Sequence, residues 1–233
     1  MVYVLLHAAY NKPVSMYEKI YRHSPVALQD AMISLYGYQW RQRRMGGIFQ
    51  QEYNSAKERE NFTSLQWLDY QDMQLKKMIL HAFTSNTFYR TSFQKNGLSE
   101  IDIKKISIEN LSLLPALSKE DIRRFGTSTL LSTSREKGGS FFASSGSTGT
   151  PAQILFSHAM HQRWYALFEL RVRNWAGVTS FIPRGMIGGR RVLPGNENIP
   201  PYYRYNLFEK QAYFSAYHIS KKNAANYLKG IQQ

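Results

Sequence analysis

The residues best suited to chemistry form one run, Ser144-Ser145-Gly146-Ser147-Thr148-Gly149-Thr150-Pro151. It holds five hydroxyl residues, two glycines and a closing proline. Phosphate binding needs several N–H and O–H donors aimed at one point, and glycine lets the backbone adopt the conformations that aim them. Hydrogen bonds to a charged partner contribute about 1.5–3 kcal/mol each, so four or five suffice to hold a nucleotide phosphate. The composition alone would equally suit a flexible linker. The flanks argue against that, because Phe141-Phe142-Ala143 and Gln153-Ile154-Leu155-Phe156 read as strands on either side. A Walker loop is excluded, since Thr150-Pro151 follows Gly149 where Lys-Ser/Thr is required, and the three spaced glycines of a dinucleotide site are missing.

Other candidates are weaker. His158 and His161 share one helix face by spacing, yet no third metal ligand accompanies them, so no metal site is assigned. Arg41, Arg43 and Arg44 form a basic cluster, most simply a solvated helix face. The whole chain carries 30 Lys and Arg against 16 Asp and Glu, a formal +14, which favours polyanions as partners. The alternative to an enzyme is therefore a non-catalytic basic protein that binds nucleic acid or an anionic surface. No nucleic-acid fold signature supports it. The absence of cysteine excludes a disulfide framework, a thiolate zinc site and a cysteine nucleophile. No apolar run approaches bilayer length, so the expectation is a cytoplasmic protein without a membrane span.

The elements that must position the loop fall into two stretches. Residues 16–137 read as mainly helical. Tyr17 to Tyr36 has helical apolar spacing with a break near Pro25, and Gly46-Gly47 punctuates the chain beyond it. Leu65, Leu68, Leu75, Met78, Ile79, Ala82 and Phe83 mark a long amphipathic helix whose apolar stripe is expected to pack in the core. Ser118 is an N-cap, with Gly126 as the stop. Residues 138–233 read as α/β: the two strands around the loop, a helix from about His158 to Trp175 ended by Gly177, strands at Val178 to Ile182 and Arg191 to Leu193, and a closing helix from Lys221 to Lys229. The fold class expected is α/β, a helical N-terminal region followed by an incomplete mixed sheet.

The loop closely resembles the Thr-Ser-Gly-Ser/Thr-Thr-Gly-x-Pro signature of the adenylate-forming superfamily. More narrowly, the chain resembles phenylacetate–CoA ligase-like proteins encoded with capsular polysaccharide biosynthesis. The resemblance runs from about Met16 to the end, through Tyr17-Glu18-Lys19-Ile20-Tyr21, Ser34-Leu35-Tyr36-Gly37-Tyr38, Leu117-Ser118-Lys119-Glu120-Asp121-Ile122, Gly189-Arg190-Arg191-Val192-Leu193-Pro194, Tyr203-Arg204-Tyr205-Asn206 and Phe214-Ser215-Ala216-Tyr217-His218-Ile219-Ser220. It implies that Ser144 to Thr150 bind ATP phosphates, usually with Mg²⁺, and that a small carboxylic acid becomes an acyl-adenylate with release of pyrophosphate. Coenzyme A or another acceptor would then take the acyl group. Tyr217 would wall the carboxylate site and His218 would gate or contact the carboxylate, the other reading of His218 being a partly buried structural imidazole. Thr150 stands where many relatives have lysine.

The resemblance also implies a deficit. Relatives continue to an adenine and metal motif, a ribose-binding aspartate and a mobile C-terminal domain. Glu197 and Glu209 are the nearest acidic candidates for Mg²⁺, and ordinary surface charge is the simpler reading of both. The expectation is thus an N-terminal fragment with little ligase activity by itself, completed by a complementary C-terminal chain. Translation is expected to start at Met16, with residues 1–15 a non-native or disordered extension.

Overall fold

A computed structural model describes residues 16–136, 138–144, 151–189, 192–193 and 199–232. The proposed extension 1–15 and the loop residues Ser145, Gly146, Ser147, Thr148, Gly149 and Thr150 lie outside the described residues, as do Glu197, Arg190 and Arg191. The fold is mixed α/β. Its helices are α1 (Met16–His23), α2 (Val26–Met45), α3 (Phe49–Glu58), α4 (Ser64–Ser85), α5 (Thr87–Lys95), α6 (Glu100–Lys104), α7 (Lys119–Phe125), α8 (His158–Phe168) and α9 (Ala224–Gln232). The strands are β1 (Ser140–Ala143), β2 (Gln153–Phe156), β3 (Arg184–Gly188), β4 (Tyr203–Asn206) and β5 (Gln211–Ser215).

The described residues form two compact units: one gathers those up to Gly47 with those from Leu167, and the other takes those from Ile48 to Ala166. This division differs from the boundary expected near residue 138. The reason is that α2 pairs with a strand far away in sequence, a relation that local composition does not carry.

The inserted unit is mostly helical. Its core is Ile79, Phe83, Phe93, Ile103 and Ile106, with Leu75, Tyr89, Leu98 and Leu114 packed against them. Capping boxes start α4, α6 and α7, where Thr63, Ser99 and Ser118 accept from the third backbone N–H and the third side chain returns the bond. The apolar stripe of α4 is only half used. Ile79 and Phe83 are buried, whereas Leu65, Leu68 and Met78 are exposed, contrary to the expectation of core packing along its length. β1 and β2 pair antiparallel, Ser140 opposite Phe156 and Ala143 opposite Gln153. These are the two strands expected on either side of the loop, here paired as a hairpin.

In the other unit three strands run in the order β3-β5-β4, with β3 parallel and β4 antiparallel to β5. Sequence reasoning placed strands at Val178 to Ile182 and Arg191 to Leu193, and neither holds. The first segment is turns and bends, Arg191 is outside the described residues, and Val192 and Leu193 are buried without joining a strand. β3, β4 and β5 were not anticipated as strands. Tyr21, Ile33, Tyr202, Tyr203, Tyr213, Phe214 and Tyr227 supply most of the core.

An edge strand leaves N–H groups unpaired, and here α2 takes up those of β4. Tyr205 N–H donates to Asp30 Oδ1 at 2.9 Å, and Leu207 N–H donates to Ser34 Oγ at 3.0 Å. Arg204 Nε adds a bond to Gln29 Oε1 at 2.5 Å. The close approach requires Gly37, because a Cβ there would sit 2.0 Å from Asn206 Nδ2. Beneath this seam lies a buried ionic cluster. Glu209 pairs with Arg44, lies 3.9 Å from Arg184, and accepts from Asn206 Nδ2 at 3.1 Å and Tyr213 Oη at 3.2 Å. Glu209 is therefore a structural charge, not a surface one, and Arg44 is not on a solvated face.

Candidate functional site

Two places carry the sequence-stated site residues, one in each compact unit. The first is the mouth of the β1–β2 hairpin. Ser144 N–H donates to Ala152 O at 2.9 Å, and Ala152 N–H donates to Ser144 Oγ at 3.0 Å. The two bonds clamp the ends of the loop. Ser144 itself is exposed, and its Oγ accepts one bond of the clamp.

The second place is the C-terminal end of the parallel pair β3 and β5. In open α/β sheets ligands gather at the carboxyl ends of the strands. β5 ends at Ser215, and a single turn of 3₁₀-helix, Ala216–His218, follows at once. Ser215 caps that turn, its Oγ accepting from Tyr217 N–H at 3.3 Å. Tyr217 is 66% exposed and reaches across to the end of β3, where its hydroxyl donates to Gly189 O at 3.1 Å. Tyr217 and His218 thus stand side by side just past the carboxyl end of β5.

His218 is half-buried and held on several sides. Its Nδ1 lies 2.8 Å from Ser215 Oγ, and its carbonyl accepts from Asn223 Nδ2 at 2.8 Å. Its ring stacks on Tyr202, with centroids 5.3 Å apart and planes 13° apart. Tyr202 is fixed in turn by its N–H bond to Asn226 Oδ1 at 3.0 Å and by stacking on Tyr227. Burial raises the pKa of the Tyr227 phenol, so it stays protonated and donates to Ser215 O at 2.5 Å. The second ring nitrogen, Nε2, has no partner among the described residues. Sequence reasoning missed Ser215, Tyr202 and Asn223. The signal for Ser215 was present, a serine three residues before the histidine in cap position.

The remaining candidates have structural roles. His161 is buried among the rings of Phe142, Phe156, Trp164 and Tyr165 and so is not a helix-surface histidine beside His158. Arg41 Nη1 donates to Phe208 O at 3.0 Å and its guanidinium lies over Phe181, while Arg43 lies over Trp40. The basic cluster is therefore largely engaged in its own unit. Among the described residues no group of three or more His, Asp or Glu is placed to hold a metal ion, and no helix is long and apolar enough to cross a membrane.

Fold and site together define a mixed α/β protein with an aromatic–histidine pair on the ends of its parallel strands. The chain is similar to Protein CapK of Staphylococcus aureus, with 25% identity over 218 residues, covering 94% of this chain and 46% of that protein. It spans about half the length of this curated relative. No protein-family model matches the chain.

Proposed function

We propose that the chain carries the first part of an ATP-dependent carboxylate-activating ligase, the part that binds the nucleotide phosphates and the acid. The observation that carries this reading is the placement of Tyr217 and His218 together on the carboxyl ends of β3 and β5. The clamped β1–β2 hairpin around the Ser/Gly/Thr loop supports it, as does the similarity to CapK along nearly the whole chain. In this reading the loop donors, Ser144 to Thr150, hold ATP phosphates, with Mg²⁺ balancing their charge. Tyr217 walls the acid, and His218 Nε2 faces its carboxylate. Positioning and charge stabilisation bring a carboxylate oxygen to the α-phosphate and pyrophosphate leaves. An acceptor such as coenzyme A takes the acyl group in a later step. A role in surface polysaccharide assembly follows only from the subfamily that the chain resembles.

Calorimetric titration of ATP and AMP with Mg²⁺ tests the reading, on the wild type and on a Ser147→Ala/Thr148→Ala double variant. Two lost bonds to a charged phosphate correspond to about 3 kcal/mol or more, so the variant should bind about 100-fold more weakly. A folded wild type that binds neither nucleotide, or a variant that binds as well as wild type, would sink the assignment of the loop.

A further inference from the structure

The hydrogen-bond pattern around Ser215 decides the chemistry that His218 offers. Ser215 is 2% exposed, so its hydroxyl proton has no solvent to turn to. Its oxygen already accepts from Tyr217 N–H. Among the described residues one acceptor lies within reach of the proton, His218 Nδ1 at 2.8 Å. Were Nδ1 protonated instead, it would donate to Ser215 Oγ and strand the serine proton in a buried site, at a cost of about 1–3 kcal/mol. The serine must therefore donate, and Nδ1 must be bare. The ring proton of the neutral imidazole then sits on Nε2, the nitrogen with no partner.

We propose that Ser215 is a positioning residue that locks neutral His218 as the Nε2–H tautomer, so that His218 presents a hydrogen-bond donor to an anionic oxygen and not a general base. The Tyr202 ring stacked on the imidazole and the Asn223 bond to its carbonyl fix the direction in which that donor points. The ligand class that fits is an oxyanion, and under the function proposed above it is the carboxylate of the acid. A base at this place would take a proton from the acid, which at neutral pH has none to give. A donor fits a ground-state carboxylate and holds one of its oxygens while the other attacks.

The test is a long-range ¹H–¹⁵N correlation spectrum of the full uniformly labelled chain at about pH 9, above the ordinary imidazole range. The His218 signals are assigned by their loss in His218→Gln. The expected wild-type pattern is a single Nε2–H tautomer, and Ser215→Ala should relax it to a mixture, as in an unconstrained imidazole. Ser215→Thr, which keeps the hydroxyl, should retain the wild-type pattern. An Nδ1–H pattern or a mixture in the wild type overturns the proposal, with no need for either variant to fold. The spectrum needs no substrate, so its outcome is separate from the fate of the ligase reading. If the tautomer is locked but no acid is ever adenylated, the ligase reading fails alone.

Discussion

Replacing Arg44 by Met should be among the most damaging single changes in the sheet-bearing unit. The Arg44 and Glu209 side chains are 8% and 3% exposed, so Glu209 would be left as a buried charge that has lost its main counter-ion. Removing one partner of a buried pair costs about 3–5 kcal/mol. Three groups remain to Glu209: Arg184 at 3.9 Å, Tyr213 Oη at 3.2 Å and Asn206 Nδ2 at 3.1 Å. They offset part of the loss and place the expectation at the lower end, about 3 kcal/mol. Urea unfolding followed by circular dichroism and tryptophan fluorescence reads it directly. With a slope of about 2 kcal/mol per molar, the midpoint should fall by about 1.5 M. Glu209→Gln should cost a similar amount by removing the carboxylate that Arg44 pairs with, yet it keeps acceptors for Asn206 and Tyr213. The double variant should therefore be no worse than either single one, a coupling of about 2 kcal/mol or more. A loss below about 1 kcal/mol for Arg44→Met, or two losses that simply add, would refute the reading of this cluster as an interdependent buried network.

Gly37→Ala should destabilise by about 2–3 kcal/mol in the same urea assay, because its Cβ meets the buried amide of Asn206, which is held by Glu209. A loss under about 0.5 kcal/mol would mean that α2 does not approach β4 so closely. The Asp30 carboxyl is held above its ordinary value, chiefly by burial, with the Tyr205 N–H bond and Arg204 acting in the opposite direction. The folded protein thus binds that proton more tightly than the unfolded chain, and the stability it contributes below the ordinary aspartate range is lost as pH rises through the folded value. Asp30→Asn keeps an acceptor for Tyr205 and should remove this fall from a stability profile taken between about pH 3 and 6; an unchanged slope would refute it. Tyr217→Ala should weaken binding of the acid with little effect on unfolding, since the ring is mostly exposed and its side-chain hydrogen bond among the described residues is to Gly189. Equal loss of stability and binding would make Tyr217 a structural residue.

What could be read in the sequence is what local physics controls. Pro25 does separate α1 from α2, Ser118 and Asp121 do form a capping box, and Gly177 lies just past a helical run in the left-handed region at φ 72°. β1 and β2 were legible because each is a short apolar run beside turn residues. β4 and β5 were not, because Tyr203-Arg204-Tyr205-Asn206 alternates nothing that looks like an inside and an outside. Arg204 and Asn206 are buried like Tyr203, while Tyr205 is only half-buried, and the polar ends are satisfied by α2 and by Glu209. The same blindness hid the role of Arg44. A charge in a sequence carries no label for its partner, and this partner lies 165 residues further on (209 − 44 = 165).

The candidate site shows both limits at once. Its position on the strand ends could not be seen without β5, and Tyr217 and His218 were singled out only through the resemblance, not by their residue types or spacing. Ser215 ties them together: it is buried, caps the 3₁₀ turn that carries both, and its Oγ lies 2.8 Å from His218 Nδ1. That serine is held by Tyr227 through its carbonyl and by Tyr202 through its N–H. The aromatic core of the unit is therefore also the frame of the site. Changes to Tyr202 or Tyr227 should disturb the direction of the His218 donor and the stability of the fold together.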